Sequence, residues 1–124
     1  MQKALLLVIS GSLGTIARYV LAGSVYKALG ADFPYGTLAV NLIGCFIIGF
    51  LASLSDHKFL LSPNVRLFLL IGFCGAFTTF STFIFETSNL IKDGQVLRAF
   101  WNVMFSVVAG FIIFRLGVLL GEII

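Results

Sequence analysis

Charge is scarce in this chain of 124 residues: Asp, Glu, Lys and Arg together make up 10%. A soluble domain carries roughly 25%, because its surface has to be wetted. That shortage excludes an ordinary water-soluble globule and makes lipid the expected solvent. Histidine is scarcer still, with His57 alone and beside charged neighbours. No triad, zinc site or acid–base pair can be built around one histidine, and no P-loop or dinucleotide fingerprint is present, so an enzyme is not expected. The two cysteines, Cys45 and Cys74, lie in apolar stretches with neither CxxC nor metal spacing. They read as small buried thiols. Basic clusters are missing too. The net charge is +3, but the eight Lys and Arg are scattered singly, which excludes a phosphate-tracking surface and hence nucleic acid. There is no low-complexity segment and no long linker.

What is present is apolar sequence, 60% of the residues, in four runs separated by short polar punctuation. The spacing predicts membrane spans over residues 3–29, 34–55, 64–91 and 96–124 within a single transmembrane domain. Lipid offers the backbone no hydrogen-bond partner, so these runs must be helices and the fold class all-α. Met1–Gly23 has the outline of a signal peptide, but Arg18 sits where a cleavage region should be small and uncharged, which makes it a retained first span. Tyr26, Tyr35 and Trp101 fall at span ends on one side, as an interfacial belt would.

The third run departs from this pattern. Asn64 to Ile91 would measure ~42 Å as one helix, against a hydrocarbon core of ~30 Å. Its centre, Gly72-Phe73-Cys74-Gly75-Ala76-Phe77-Thr78-Thr79-Phe80-Ser81-Thr82-Phe83, is a poor helix and a costly surface to show to lipid. A break is expected there, buried in protein. Loop charges are balanced: Lys3, Lys58 and Arg66 on the side of the termini, Lys27, Lys92 and Arg98 on the other. Orientation normally follows a Lys/Arg bias, so a balanced chain is expected to insert both ways and to permit an antiparallel dimer.

On the second span Thr37, Asn41, Cys45, Gly49 and Ser53 recur every fourth residue and form one small, polar stripe. Such stripes usually serve close packing, but an amide at membrane depth must find partners. Asn102, Ser106 and Gly110 share a face of the fourth span, and Gly117 and Gly121 form a GxxxG-type pair. Arg18 and Glu86 are ionisable groups within spans, expected to face a cavity or each other and to act electrostatically. Hydrogen-bond donors and phenylalanines around a break suit a small anion, since the edge of a phenyl ring is its positive part. From the residues alone, the reading ends at an anion pathway.

Phe33-Pro34-Tyr35-Gly36-Thr37-Leu38-Ala39-Val40-Asn41-Leu42-Ile43-Gly44 and the Gly72–Phe83 stretch closely resemble the Fluc (CrcB) fluoride channel family, as does Gly11-Ser12-Leu13-Gly14-Thr15-Ile16-Ala17-Arg18-Tyr19. The resemblance covers essentially the whole chain. It implies a fluoride-selective channel in the plasma membrane that relieves fluoride toxicity, built as a dual-topology antiparallel homodimer with two pores. By position, Asn41 resembles the pore asparagine, Phe80 and Phe83 the phenylalanines whose edges contact fluoride, and Thr37 and Ser106 members of a polar track. It also implies a structural Na⁺ at the dimer two-fold, held by backbone carbonyls of Gly75 and Thr78. Gly110 and Asn102 depart from the family pattern. Two alternatives are a small dual-topology proton-coupled multidrug exporter and a non-transporting scaffold. The exporter needs an acid in the first span, where this chain has Arg18; the scaffold leaves Asn41 and the Thr78–Thr82 run unexplained.

Overall fold

The computed structural model describes all residues from Met1 to Ile124. Its backbone satisfies itself as lipid demands: 83 of the 96 backbone–backbone hydrogen bonds lie within helices. Four helices are long and apolar enough to cross a membrane: α1 (Gln2–Leu29), α2 (Tyr35–Asp56), α3 (Pro63–Lys92) and α4 (Val96–Ile123). There are no strands. Short connections make successive helices antiparallel neighbours.

The helix ends follow local chemistry. Gly30, at φ 86°, stops α1 and returns its N–H to the Tyr26 carbonyl at 2.8 Å. Ser62 caps α3 by accepting from the Val65 N–H at 3.4 Å, with Pro63 in the first helical position. Gly94, at φ 75°, turns the chain between α3 and α4.

Two long helices are irregular. Hydrogen bonding widens to i→i+5 over Leu67–Cys74 in α3 and Phe105–Ala109 in α4. Such wide turns are rare and often sit at functional sites. In α3 the regular backbone stops at Thr78 (φ −88°, ψ 156°) and Thr79 (φ −148°, ψ 115°), both extended, and resumes at Phe80.

Between helices in lipid, burial of apolar surface gives no advantage over the solvent, so close approach of small residues supplies the packing. Gly49 of α2 lies against the Phe114 carbonyl of α4, Gly117 of α4 against the Phe46 carbonyl, and Gly121 against Ser53. A Cβ at any of these three would overlap its neighbour. On the other flank, Gly14 of α1 meets the Phe73 carbonyl, and the fully buried Ser10 packs on Gly72. Glycine contacts thus join α2 to α4, and separately join α1 to the irregular stretch of α3.

Candidate functional site

The interruption in α3 is built by a side chain from α2. Asn41 Nδ2 donates to the Thr79 carbonyl at 3.0 Å, and the Thr79 N–H donates to Asn41 Oδ1 at 2.7 Å. In a continuous helix that N–H would close onto the Gly75 carbonyl, four residues earlier. Likewise the Thr82 N–H, which would close onto the Thr78 carbonyl, is donated to Thr79 Oγ1 at 3.3 Å. The hydroxyls of Thr79 and Thr82 are joined at 3.1 Å. Asn41 and Thr79 thus divert the helical donors of the Gly75 and Thr78 carbonyls. Gly75 is exposed, with open space where a Cβ would stand.

Beside the interruption lies an open cleft of ≈ 280 Å³ walled by Asn41, Cys45, Gly75, Thr78 and Phe80 among others. Asn41 keeps one amide N–H beyond the one given to Thr79, because an NH₂ group has two. Phe80 and Phe83 are neighbours, with ring centroids 5.7 Å apart and planes tilted by 56°. Their settings differ: Phe80 is 74% exposed on the single chain and Phe83 only 6%.

One turn before Asn41 on α2, the Thr37 hydroxyl donates to Glu86 Oε1 at 2.9 Å. The Tyr26 hydroxyl donates to the same carboxylate at 3.2 Å and lies 3.3 Å from Thr37 Oγ1. The Tyr26 ring covers Gly36, where a Cβ would collide with it. Glu86 and Tyr26 border a second cleft, ≈ 460 Å³, that opens beside the α1–α2 and α3–α4 turns. Glu86 and Arg18 make no ion pair with each other, and Arg18 has no ion-pair partner within the chain. On α4 the Ser106 hydroxyl is buried without a hydrogen-bond partner, whereas Asn102 Nδ2 donates to Thr87 Oγ1 at 2.8 Å.

The structure therefore brings Asn41, Phe80, Gly75 and Thr78 to one cleft and Thr37 and Glu86 to one hydrogen-bonded group. Tyr26, placed in an interfacial belt by its position at a span end, turns its hydroxyl inward to Glu86 instead. Thr79 and Thr87 carry the main hydrogen bonds of the region; Thr79 had no sequence signal beyond belonging to a hydroxyl-rich run, and Thr87 had none. Of the stripe on α2, its first half (Thr37, Asn41) bonds to α3, whereas Gly49 and Ser53 are spent on contact with α4.

Residues 5–118 match the family described as CrcB-like protein, Camphor Resistance (CrcB). Among similar proteins, one from Geobacter sp. (strain M21) is 50% identical over 109 residues, 88% of each chain. One from Geotalea uraniireducens (strain Rf4) is 44% identical over 122 residues, 98% of each chain. One from Solidesulfovibrio magneticus is 44% identical over 124 residues, 100% of this chain and 99% of its own. All three carry the name fluoride-specific ion channel FluC.

Proposed function

The chain belongs to the CrcB family, and from that premise we propose that it is a fluoride-selective channel, passing the ion passively across the plasma membrane as an antiparallel homodimer. It is a multi-pass membrane protein and not an enzyme. The observation that carries the site assignment is the cleft at the α3 interruption, where Asn41 and Phe80 meet.

Fluoride is small and strongly hydrated, so a pathway for it must replace water with several donors at once. Asn41 supplies an uncommitted amide N–H at the cleft. Phe80 and Phe83 supply ring edges, whose weak positive potential is localised enough to favour a compact anion over a diffuse one. Ser106, a buried hydroxyl without a partner in the chain, supplies a further donor. Glu86 lines the larger cleft and accepts from Thr37 one turn before Asn41. Arg18 places a positive charge within the first span, where an exporter of cations would need an acid.

Pairing of two chains is supported by the 74% exposure of Phe80, a large aromatic ring beside polar backbone that a second copy would cover. Balanced loop charges support the antiparallel arrangement. A structural Na⁺ fits the carbonyls of Gly75 and Thr78, since both lose their helical donors and a monovalent cation suits uncharged oxygen ligands. When bound, the ion would supply a positive charge that fixes those carbonyls and joins the two copies.

The test is ion-specific efflux from liposomes containing the purified protein. Fluoride should leave rapidly and chloride should not. Equal passage of both, or of neither, would overturn the assignment; cation-coupled drug uptake would favour the exporter instead.

A further inference from the structure

We propose that Asn102 is a positioning residue for Phe83, acting through the hydroxyl of Thr87. This rests on the reading of Phe83 as a fluoride-contacting ring. The three residues form one buried series across α4 and α3: Asn102 is 2% exposed, Thr87 8% and Phe83 6%. Asn102 Nδ2 donates to Thr87 Oγ1 at 2.8 Å, and Thr87 Oγ1 donates to the Phe83 carbonyl at 2.7 Å.

The direction of these bonds matters. A threonine hydroxyl has one proton and can turn about its Cβ–Oγ bond. Because Asn102 donates to the oxygen, that proton is directed away from α4 and onto the Phe83 carbonyl. A threonine bonding back to the carbonyl four residues earlier tends to bend its helix. Here that turn begins at Phe83, only four residues after the extended Thr79. The Asn102–Thr87 bond is also the one side-chain hydrogen bond joining α3 to α4. By this route α4 sets the tilt of the turn that carries the Phe83 ring, and Asn102 works through bonding to α3 while Ser106, one turn on, keeps its hydroxyl unpaired.

The experiment measures fluoride efflux and the fluoride-to-chloride ratio for Asn102→Leu, Thr87→Val and Thr87→Ser, each alone and combined with Phe83→Ile. Asn102→Leu and Thr87→Val should each lower fluoride flux about tenfold, in keeping with one lost buried hydrogen bond to a polar partner. Thr87→Ser keeps the hydroxyl and should restore most of the flux. In the Phe83→Ile background, Asn102→Leu and Thr87→Val should cause little additional loss, a result that a general packing defect would not give. Undiminished additional loss in that background overturns the proposal, as does normal flux in Thr87→Val. If Asn102→Leu does not yield a folded dimer by size exclusion, the Thr87 pair decides alone. Normal flux in Phe83→Ile by itself removes the assigned role of Phe83, and the proposal with it, and so separates that failure from a failure of the coupling.

Discussion

Asn41 and Thr79, 38 positions apart in sequence, hold each other through two opposed hydrogen bonds of 3.0 and 2.7 Å. The asparagine behaves like a short piece of strand, offering Thr79 both the acceptor and the donor that a helix would have provided. The N–H and C=O of the extended Thr79 are therefore both satisfied at membrane depth without water.

Replacing Asn41 by Leu leaves the Thr79 N–H and C=O without partners, at about 1–3 kcal/mol for each. Fluoride flux should fall at least ~10-fold and the thermal stability of the purified protein should drop. Asn41→Asp keeps the acceptor for the Thr79 N–H but loses the donors. It should recover more of the folded protein on size exclusion than Leu does, with flux still low. Normal flux in both variants would remove Asn41 from the pathway.

Phe80→Ile and Phe83→Ile should each reduce fluoride flux in liposomes while the protein still elutes as a folded dimer. Stability should suffer more at Phe83, which is 6% exposed, than at Phe80, which is 74% exposed on the single chain. Unchanged flux in both would show that the ring edges have no part in permeation.

If the donor-less carbonyls of Gly75 and Thr78 hold a Na⁺ as proposed, exchanging Na⁺ for a bulky organic cation should silence the channel or loosen the dimer. Fluoride flux and elution volume measured in the two buffers decide this. Identical behaviour in both rules out a Na⁺ site.

Reporter fusions at the C-terminus should reveal chains in both orientations. Two or three lysines added to the turn between α2 and α3 should fix one orientation and lower activity until an oppositely biased copy is co-expressed. One orientation for nearly all wild-type molecules would exclude the antiparallel assembly.

Gly49→Ala should abolish the folded protein, since its Cβ would overlap the Phe114 carbonyl. Gly110→Ala should be tolerated, the nearest atom being Cys45 Sγ at an ordinary 3.6 Å. Ser53→Ala removes a buried hydroxyl that has no partner and should leave flux unchanged, with stability equal or slightly raised. Elution profiles and flux measured on the three variants check these outcomes.

The four helices were legible because 60% apolar content in four runs leaves the backbone no other way to pair. Periodicity also placed Thr37 and Asn41 on one face, since that depends only on spacing along a single helix. What each faces was not legible. Asn41 meets Thr79 and Tyr26 meets Glu86 across 38 and 60 positions, and no periodicity within one segment encodes such a pairing. Tyr26 shows the ambiguity plainly: at a span end, a tyrosine hydroxyl turned to the headgroups and one turned to a half-buried carboxylate have the same sequence context. Asn102 differs from Ser106 for the same kind of reason, because Thr87 lies opposite one and no polar partner lies opposite the other.

The contacts between α2 and α4 also make the interface unequal in its tolerance of genetic change. Gly49 and Gly117 each touch a carbonyl, but Gly117 meets only main chain of Phe46 and Phe50, which every amino acid possesses, whereas Gly49 also meets the ring of Phe114. The glycines have no permissible neighbour in the genetic code, because every substitution adds at least a Cβ. Around Gly117, then, one side of the contact is fixed to a single residue type and the other is indifferent to its side chain. Sequence drift can alter Phe46 without disturbing its contact with Gly117, while the spacing of the glycines has to persist.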